Sequence, residues 1–146
     1  MRIAHLSIMA LTAAAVFVAG TSITAQPRGQ DRPLLYPLSG QDQEAARGSG
    51  CQLSFDHGRN TLVYVIGHSF MIKTGTGRAV CRISDRQFSA LSEGGSQSCQ
   101  GLRVTIRRTG RSVGNEASDS ASAPATLTVT GGGRSQTVRG QWGSAC

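Results

Sequence analysis

The sequence is poor in aromatic residues and in long apolar segments. Only 5% of its residues are Phe, Trp or Tyr, so a ring surface for stacking nucleic-acid bases is not expected. The longest apolar run, residues 8–19, is too short to cross a bilayer as a helix, and no later stretch is apolar enough to do so. We therefore expect neither a nucleic-acid partner nor a transmembrane anchor.

The amino-terminal residues have the pattern of a secretory signal peptide. Arg2 supplies a positive charge, the apolar run follows, and the segment ends on the small residue Ala25. A buried core helix is the alternative interpretation, but the terminal position and the small-residue ending match a signal better. We predict a signal peptide over residues 1–25 and a periplasmic or secreted mature chain.

Acidic residues are also scarce. Residues 26–146 hold 14 Lys or Arg against 8 Asp or Glu, and Lys73 is the single lysine. A basic exported protein is suited to an anionic envelope polymer or to an acidic partner protein. A well-solvated, soluble surface is an equally good interpretation of the same charge. No cofactor is indicated, and we expect a monomer.

The cysteine pattern favours disulfides over metal binding. The four cysteines are separated by 30, 18 and 47 residues, whereas structural zinc sites use closely spaced pairs. An even number in an exported chain predicts two disulfides, and spacing alone leaves three pairings open. We expect no metal site.

Short alternating segments predict an all-β fold, a small antiparallel barrel or sandwich of about eight strands. Alternation is clean at 102–106, 125–129 and 79–83, while residues 61–66 are apolar on both faces and predict a central, covered strand. The predicted strands are 51–55, 61–66, 69–74, 78–83, 87–91, 102–108, 125–130 and 134–139.

Two segments lack this pattern. Residues 26–50 are predicted to form a flexible arm that docks through Leu34, Leu35 and Tyr36, with one helical turn within 41–48. Residues 110–124 are predicted to form a mobile loop, because they carry too little apolar surface to offset the cost of ordering. The folded β domain is placed at 51–146.

Both histidines of the mature chain lie in one stretch, residues 53–74. His57 and His68 fall in turns at opposite ends of the predicted strand 61–66, roughly 20 Å apart, so they cannot share a metal or a catalytic site. Turn histidines are the favoured interpretation. A small hydrolase that uses His68 with Ser69, or His57 with Asp56, is the alternative, although Ser69 does not lie in a Gly-x-Ser-x-Gly elbow.

Residues 51–146 resemble the periplasmic inhibitors of C-type lysozyme. The resemblance lies in an opening cysteine, an Asp-x-Gly turn at 56–58, the strand TLVYV, the loop ALSEGG, the strands VTIRRTG and PATLTVTGG, and a terminal cysteine. It implies an eight-stranded barrel with Cys51 bonded to Cys146, which leaves Cys81 to pair with Cys99. The chain also resembles small proteobacterial periplasmic proteins of unknown function.

The sequence departs from these inhibitors in the loop, where the family's Ser-Gly-x-x-Tyr is replaced by GGSQS at 94–98, and in an insertion at 111–123. The favoured hypothesis is a non-enzymatic binding or inhibitor-like module, and a basic protein that binds anionic envelope polymers is the alternative. No catalytic residue is assigned. The candidate binding residues are Ser92, Glu93, Ser96 and Gln97 in the loop, and Arg103, Arg107, Arg108 and Arg111 in an arginine stripe.

Overall fold

The computed structural model describes residues 32–46 and 48–146, and the predicted signal peptide lies outside these ranges. Within them, no helix is both long and apolar enough to cross a membrane. The helices are α1 (Gly40–Glu44) and α2 (Asp85–Ser92), and a single 3₁₀ turn spans Glu116–Ser118. The strands are β1 (Gln52–His57), β2 (Asn60–Ile66), β3 (Ser69–Thr74), β4 (Gly77–Arg82), β5 (Ser96–Cys99), β6 (Leu102–Arg108), β7 (Val113–Asn115), β8 (Ser120–Gly131) and β9 (Arg134–Ala145).

These strands form one antiparallel sheet that curls into a nearly closed barrel. Eight of them follow the order β4-β3-β2-β1-β9-β8-β6-β5, and β7 pairs with β8 outside that path. The hairpin of β8 and β9 is the longest, with 12 residues in each strand paired in continuous register. The predicted all-β fold is confirmed, and of the two predicted architectures, barrel and sandwich, it is the barrel.

Two disulfides fasten this sheet. Cys81 in β4 bonds Cys99 in β5, which joins the first strand of the sheet to the last, and Cys51 bonds Cys146 at the chain end. The pairing implied by the resemblance to the lysozyme inhibitors is therefore confirmed. Two formed disulfides indicate an oxidising, exported environment.

Alternate side chains of the strands fill the barrel, as the sequence pattern predicted. Val104 and Ile106 of β6 and Leu127 and Val129 of β8 are each at most 2% exposed. Strand β2 is buried on both faces, because Tyr64 on its outer face packs with Leu38 and Met71. Burial raises the pKa of the Tyr64 phenol above its ordinary value of 10.

The outer face of β2 is covered by the segment before Cys51. Tyr36 donates its backbone N–H to the Lys73 carbonyl and Leu38 donates to that of Thr61, both at 2.8 Å. Leu35 is only 3% exposed and belongs to the main core. The predicted docking at Leu34–Tyr36 and the predicted helical turn, α1, are thus both present. The folded unit was predicted to start at Cys51, but it already includes these earlier residues.

Asp42 of α1 ties this segment to the barrel. Its carboxylate accepts a hydrogen bond from Lys73 Nζ at 2.8 Å and further bonds from Ser39, and Arg78 Nη1 lies 3.9 Å away. The Lys73 bond, followed by those from Ser39, holds the pKa of Asp42 well below its usual value of 3.8. The charged form of Asp42 therefore stabilises the docked segment.

Asp42→Asn is expected to lower the free energy of unfolding near neutral pH by roughly 1 kcal/mol or less, and to matter less in acid. A depressed carboxyl pKa stabilises the fold above the pKa of the unfolded chain, and this contribution is lost as the pH falls below about 4 toward the folded-state pKa. Urea unfolding at pH 7 and pH 2.5 tests this. A difference between wild type and variant that is the same at both pH values would contradict it.

The predicted strand 87–91 is wrong, because these residues belong to helix α2. Ser84 caps its start and accepts from the Gln87 backbone N–H, while the Gln87 side chain accepts from the Ser84 N–H. This reciprocal capping box is a helix signal that outweighs the short alternation. Leu91 is the one buried residue of α2, at 1% exposure. Strand β5 takes the place of 87–91 in the strand count, at residues where no strand was predicted.

The segment 110–124, predicted as a mobile loop, is mostly paired backbone. Strand β7 pairs with residues 120–122 of β8, and the same part of β8 pairs with 143–145 of β9. Its inward residues are alanines, with Ala123 only 2% exposed, so little apolar surface shows in the sequence. Backbone hydrogen bonds supplied by the far end of β9, the next strand along the chain, order this segment instead.

Candidate functional site

Three of the predicted binding residues meet where β6 ends. Ser92, Glu93 and Arg108 line an open cleft of about 380 Å³, which we call the rim cleft; its other lining residues are Ser112, Ala121, Ala123, Trp142, Gly143 and Ser144. Arg108 Nη1 donates to Glu93 Oε2 at 2.8 Å. The Glu93 side chain is 79% exposed, so this ion pair is screened by water and leaves the cleft with little net charge.

The floor of the rim cleft is fixed by Trp142. Its indole Nε1 donates to the Leu91 carbonyl oxygen at 2.9 Å, and the ring is 3% exposed. This bond connects β9 to the end of α2, so the cleft is held by both elements. Its rigid floor and small polar walls suit a short polar side chain or loop of a partner.

The other predicted residues lie elsewhere. Arg103 and Arg107 point outward from β6, and Arg111 is exposed in the turn before β7. Gln97 in β5 accepts a hydrogen bond from the Gln87 amide at 3.1 Å. The predicted arginine stripe is therefore not one patch, because Arg108 turns toward the rim cleft while its neighbour Arg107 faces the opposite way.

Outward side chains of β6, β8 and β9 form a regular grid of arginine, threonine and serine. Strand register arranges them in three rows that cross the strands. We call this grid the arginine–hydroxyl face; its rows are Arg103–Thr130–Ser135, Thr105–Thr128–Thr137 and Arg107–Thr126–Arg139. Adjacent rows are about 6.6 Å apart along a strand, and adjacent strands are about 4.8 Å apart.

Alternation within each strand creates this face. In β8, Ala125, Leu127 and Val129 are each at most 2% exposed, so the threonine that follows each of them must point away from the core. β-Branched threonine also favours the strand conformation. The same burial pattern on β6 and β9 turns Arg103, Arg107 and their counterparts outward.

The guanidinium groups of Arg103, Arg107 and Arg139 form no ion pair or hydrogen bond with any part of the chain that the structure describes. Strands β5, β6, β8 and β9 contain no Asp or Glu. By contrast, Lys73 and Arg108 are both neutralised by carboxylates. The positive charge of the face is thus available to an external anion.

Arg139 and the threonines of this face were not among the binding residues predicted from the sequence. Their signal was present, since Thr126, Thr128 and Arg139 occupy alternate positions of the predicted strands 125–130 and 134–139. What was missing was the knowledge that β6 and β9 flank β8, which brings Arg107 and Arg139 to either side of Thr126.

His68 lines a separate open cleft of about 580 Å³ beside the start of α2, and Ser69 lines the same cleft. Nδ1 of His68 lies 3.2 Å from the Ile83 carbonyl oxygen and 3.7 Å from the Asp85 carboxylate. The fold therefore brings a carboxylate, that of Asp85, close to His68, and a hydrolase that used His68 and Ser69 would need such an acid. However, the His68 and Asp85 side chains are 53% and 95% exposed, so solvent screens the pair.

His57 and Asp56 have structural contacts. His57 Nδ1 lies 2.8 Å from the Arg139 carbonyl oxygen. The Asp56 carboxylate accepts hydrogen bonds from the hydroxyls of Thr61 at 2.6 Å and Ser54 at 2.8 Å, which fixes the turn between β1 and β2. Because β2 separates this turn from the one holding His68, the two histidines lie at opposite ends of the strand, as predicted.

No group of three His, Cys, Asp or Glu side chains in residues 32–46 and 48–146 is close enough to hold a metal ion. Comparison of the chain with protein-family models, with curated proteins and with solved structures gave no match. Its function therefore has to be inferred from the geometry and charge of these surfaces.

Proposed function

We propose that this protein is an exported, non-enzymatic binding module that holds an anionic polymer of the cell envelope on its arginine–hydroxyl face. The observation that supports this most directly is the presence of three exposed, unpaired arginines on strands that carry no acidic residue. Free positive charge of this kind attracts polyanions and raises their association rate.

The rigidity of the face supports binding of extended anions. All three arginines project from barrel strands, so their Cα positions are fixed by the hydrogen-bonded sheet. Arg103 and Arg107 lie about 13 Å apart along β6, and Arg107 and Arg139 lie about 10 Å apart across the sheet. Each guanidinium can bind a carboxylate or phosphate through two parallel hydrogen bonds. A polymer with repeated charges could engage all three arginines at once.

The compartment is consistent with such a ligand. The two disulfides are typical of proteins from oxidising, exported environments, and residues 1–25 have the pattern of a signal peptide. We therefore propose a periplasmic or secreted location, where anionic polymers of the envelope are accessible.

Replacing Arg103, Arg107 and Arg139 together with glutamine is expected to weaken polyanion binding at low salt by at least about tenfold. Each close charge pair contributes roughly 1 kcal/mol in water, and 1.4 kcal/mol is a factor of ten in affinity. The measurement is the affinity for labelled polygalacturonate, lipopolysaccharide and polyphosphate at two salt concentrations. Wild-type affinity should fall as salt rises.

The matched control is Arg78→Gln, Arg82→Gln and Arg86→Gln, which removes the same net charge from exposed arginines of β4 and α2, outside the three rows of the face. This control should weaken binding by no more than about threefold, since only the long-range field changes. Equal losses in the two triple variants would show that net charge alone is responsible and would refute the assignment of the face. Absence of binding to every polymer at low salt would refute the function.

An inhibitor-type module is the second candidate, and the rim cleft favours it. Ser92 and Glu93 at the end of α2 meet Arg108 at the end of β6 there. In this function a loop of a target enzyme would enter the cleft. Inhibition assays against lysozymes of low and high isoelectric point, repeated with Glu93→Gln, test it. Undiminished lysozyme activity at saturating protein would exclude it.

A further inference from the structure

The middle row of the arginine–hydroxyl face is a line of hydroxyl groups. Thr105, Thr128 and Thr137 stand side by side on β6, β8 and β9, and Ser96 on β5 extends the line. Thr128 Oγ1 lies 3.4 Å from Thr137 Oγ1, and Ser96 Oγ lies 2.8 Å from Thr105 Oγ1. Four strands thus present one row of neighbouring hydroxyls with arginines on both sides.

Hydroxyl groups and arginines recognise different chemistry. A threonine hydroxyl can both donate and accept a hydrogen bond, which suits a ligand that is itself rich in hydroxyls. A guanidinium only donates and suits a carboxylate or phosphate. A ligand that uses the whole face needs hydroxyls and negative charges at close spacing.

From this combination we infer that the polymer bound is an acidic polysaccharide, whose sugar units carry both hydroxyl and carboxylate groups. The inference rests on the proposed function and names its ligand class. The carboxylates bind Arg103, Arg107 and Arg139, and the sugar hydroxyls exchange hydrogen bonds with the middle row. Water bridges the remaining gaps, as it does in other polar binding surfaces.

Other polyanions use this face less completely. Polyphosphate offers only acceptor oxygens, so it gains from the arginines and has no donor for the threonines to accept from. Single-stranded nucleic acid gains affinity by stacking bases on aromatic rings, and β5, β6, β8 and the paired part of β9 in this face present none outward. The threonine row therefore distinguishes an acidic sugar polymer from a polymer recognised by charge alone.

The test is the triple variant Thr105→Val, Thr128→Val and Thr137→Val. Valine keeps the size, the β-branching and the strand propensity of threonine and removes only the hydroxyl, so the barrel should remain folded. Binding of defined polygalacturonate oligomers and of polyphosphate is measured by calorimetry at low salt. Thr109→Val, a change at an exposed threonine outside the face, is the control.

The valine variant should bind polygalacturonate about tenfold more weakly than wild type. Its affinity for polyphosphate should fall by only about threefold or less, because polyphosphate can accept from the threonine hydroxyls but has no hydroxyl to donate to them. Thr109→Val should bind both polymers like wild type. If the valine variant loses neither or both affinities equally, the inference fails and the proposed function stands on the arginines alone. If wild type binds neither of these polymers nor lipopolysaccharide, the proposed function fails with it.

Discussion

Replacing Cys81 and Cys99 with alanine is expected to open the barrel between β4 and β5 and to lower the free energy of unfolding by about 3 kcal/mol. A crosslink that closes about 15 residues contributes roughly 3 kcal/mol in the loop-entropy description, and this one spans 18. Within the described chain no backbone ladder joins β4 to β5. The disulfide is therefore the covalent closure of the sheet.

Loss of this closure has a second consequence. Strands β4 and β5 then present unpaired N–H and C=O groups at a free edge, and such edges pair with other chains. The alanine variant should therefore aggregate at concentrations where wild type stays monomeric. Hydrogen exchange should accelerate in β4 and β5 before it does so in β1 or β9.

The other disulfide provides the control. Removing Cys51 and Cys146 should cost more stability, about 4.5 kcal/mol for a span of 95 residues. This variant keeps the Cys81–Cys99 bond that closes the sheet between β4 and β5. Strand β1 also stays paired with β2 and β9 in the middle of the sheet. Urea unfolding, light scattering and hydrogen exchange on both variants separate the two effects. Equal aggregation of the two variants would contradict the assigned role of the Cys81–Cys99 bond.

Gly140→Ala is expected to destabilise the protein by about 3 kcal/mol, at the upper end of the usual cost of overpacking. A Cβ at this position in β9 would overlap the Asp56 carbonyl oxygen and would lie 2.9 Å from Cζ of Phe55. Phe55 is fully buried and cannot move aside without disturbing the core. The close approach of β1 and β9 at this point therefore requires glycine.

Gly40→Ala is the matched control, because no atom lies within 4 Å of the Cβ that it adds and Gly40 begins α1. It should leave the melting temperature unchanged or slightly raised, since alanine restricts the unfolded chain more than glycine does. Thermal unfolding monitored by circular dichroism measures both variants. A Gly140→Ala protein that melts together with Gly40→Ala would show that β1 and β9 can separate without cost.

The strands that alternate most clearly were predictable from the sequence. Residues 102–106 and 125–129 each place an apolar side chain at every second position, and the structure buries all of these side chains except the half-buried Leu102. Residues 61–66 are apolar on both faces of the strand, and this pattern likewise predicted a covered strand. These predictions succeed because side-chain direction in a strand depends only on the local backbone.

Features that depend on hydrogen bonds to other residues were not predicted from the sequence. The segment 120–124 became part of β8 although its inward residues are alanines, because β9 supplies hydrogen bonds along its whole length. Residues 87–91 became helical through the capping box of Ser84 and Gln87. In both cases a weak apolar pattern was outweighed by hydrogen bonding.

The sequence by itself determined that the chain is basic, disulfide-bonded and built of short strands, and that Arg103, Arg107 and Arg139 each alternate with residues suited to a core. Only the tertiary structure decided which of these side chains are neighbours. Arg107 and Arg139 are 32 positions apart in the sequence and reach either side of Thr126 because β8 pairs with β6 on one edge and with β9 on the other. Side-chain direction is a local property of a strand, whereas strand order depends on how the whole barrel closes, and the arginine–hydroxyl face depends on both.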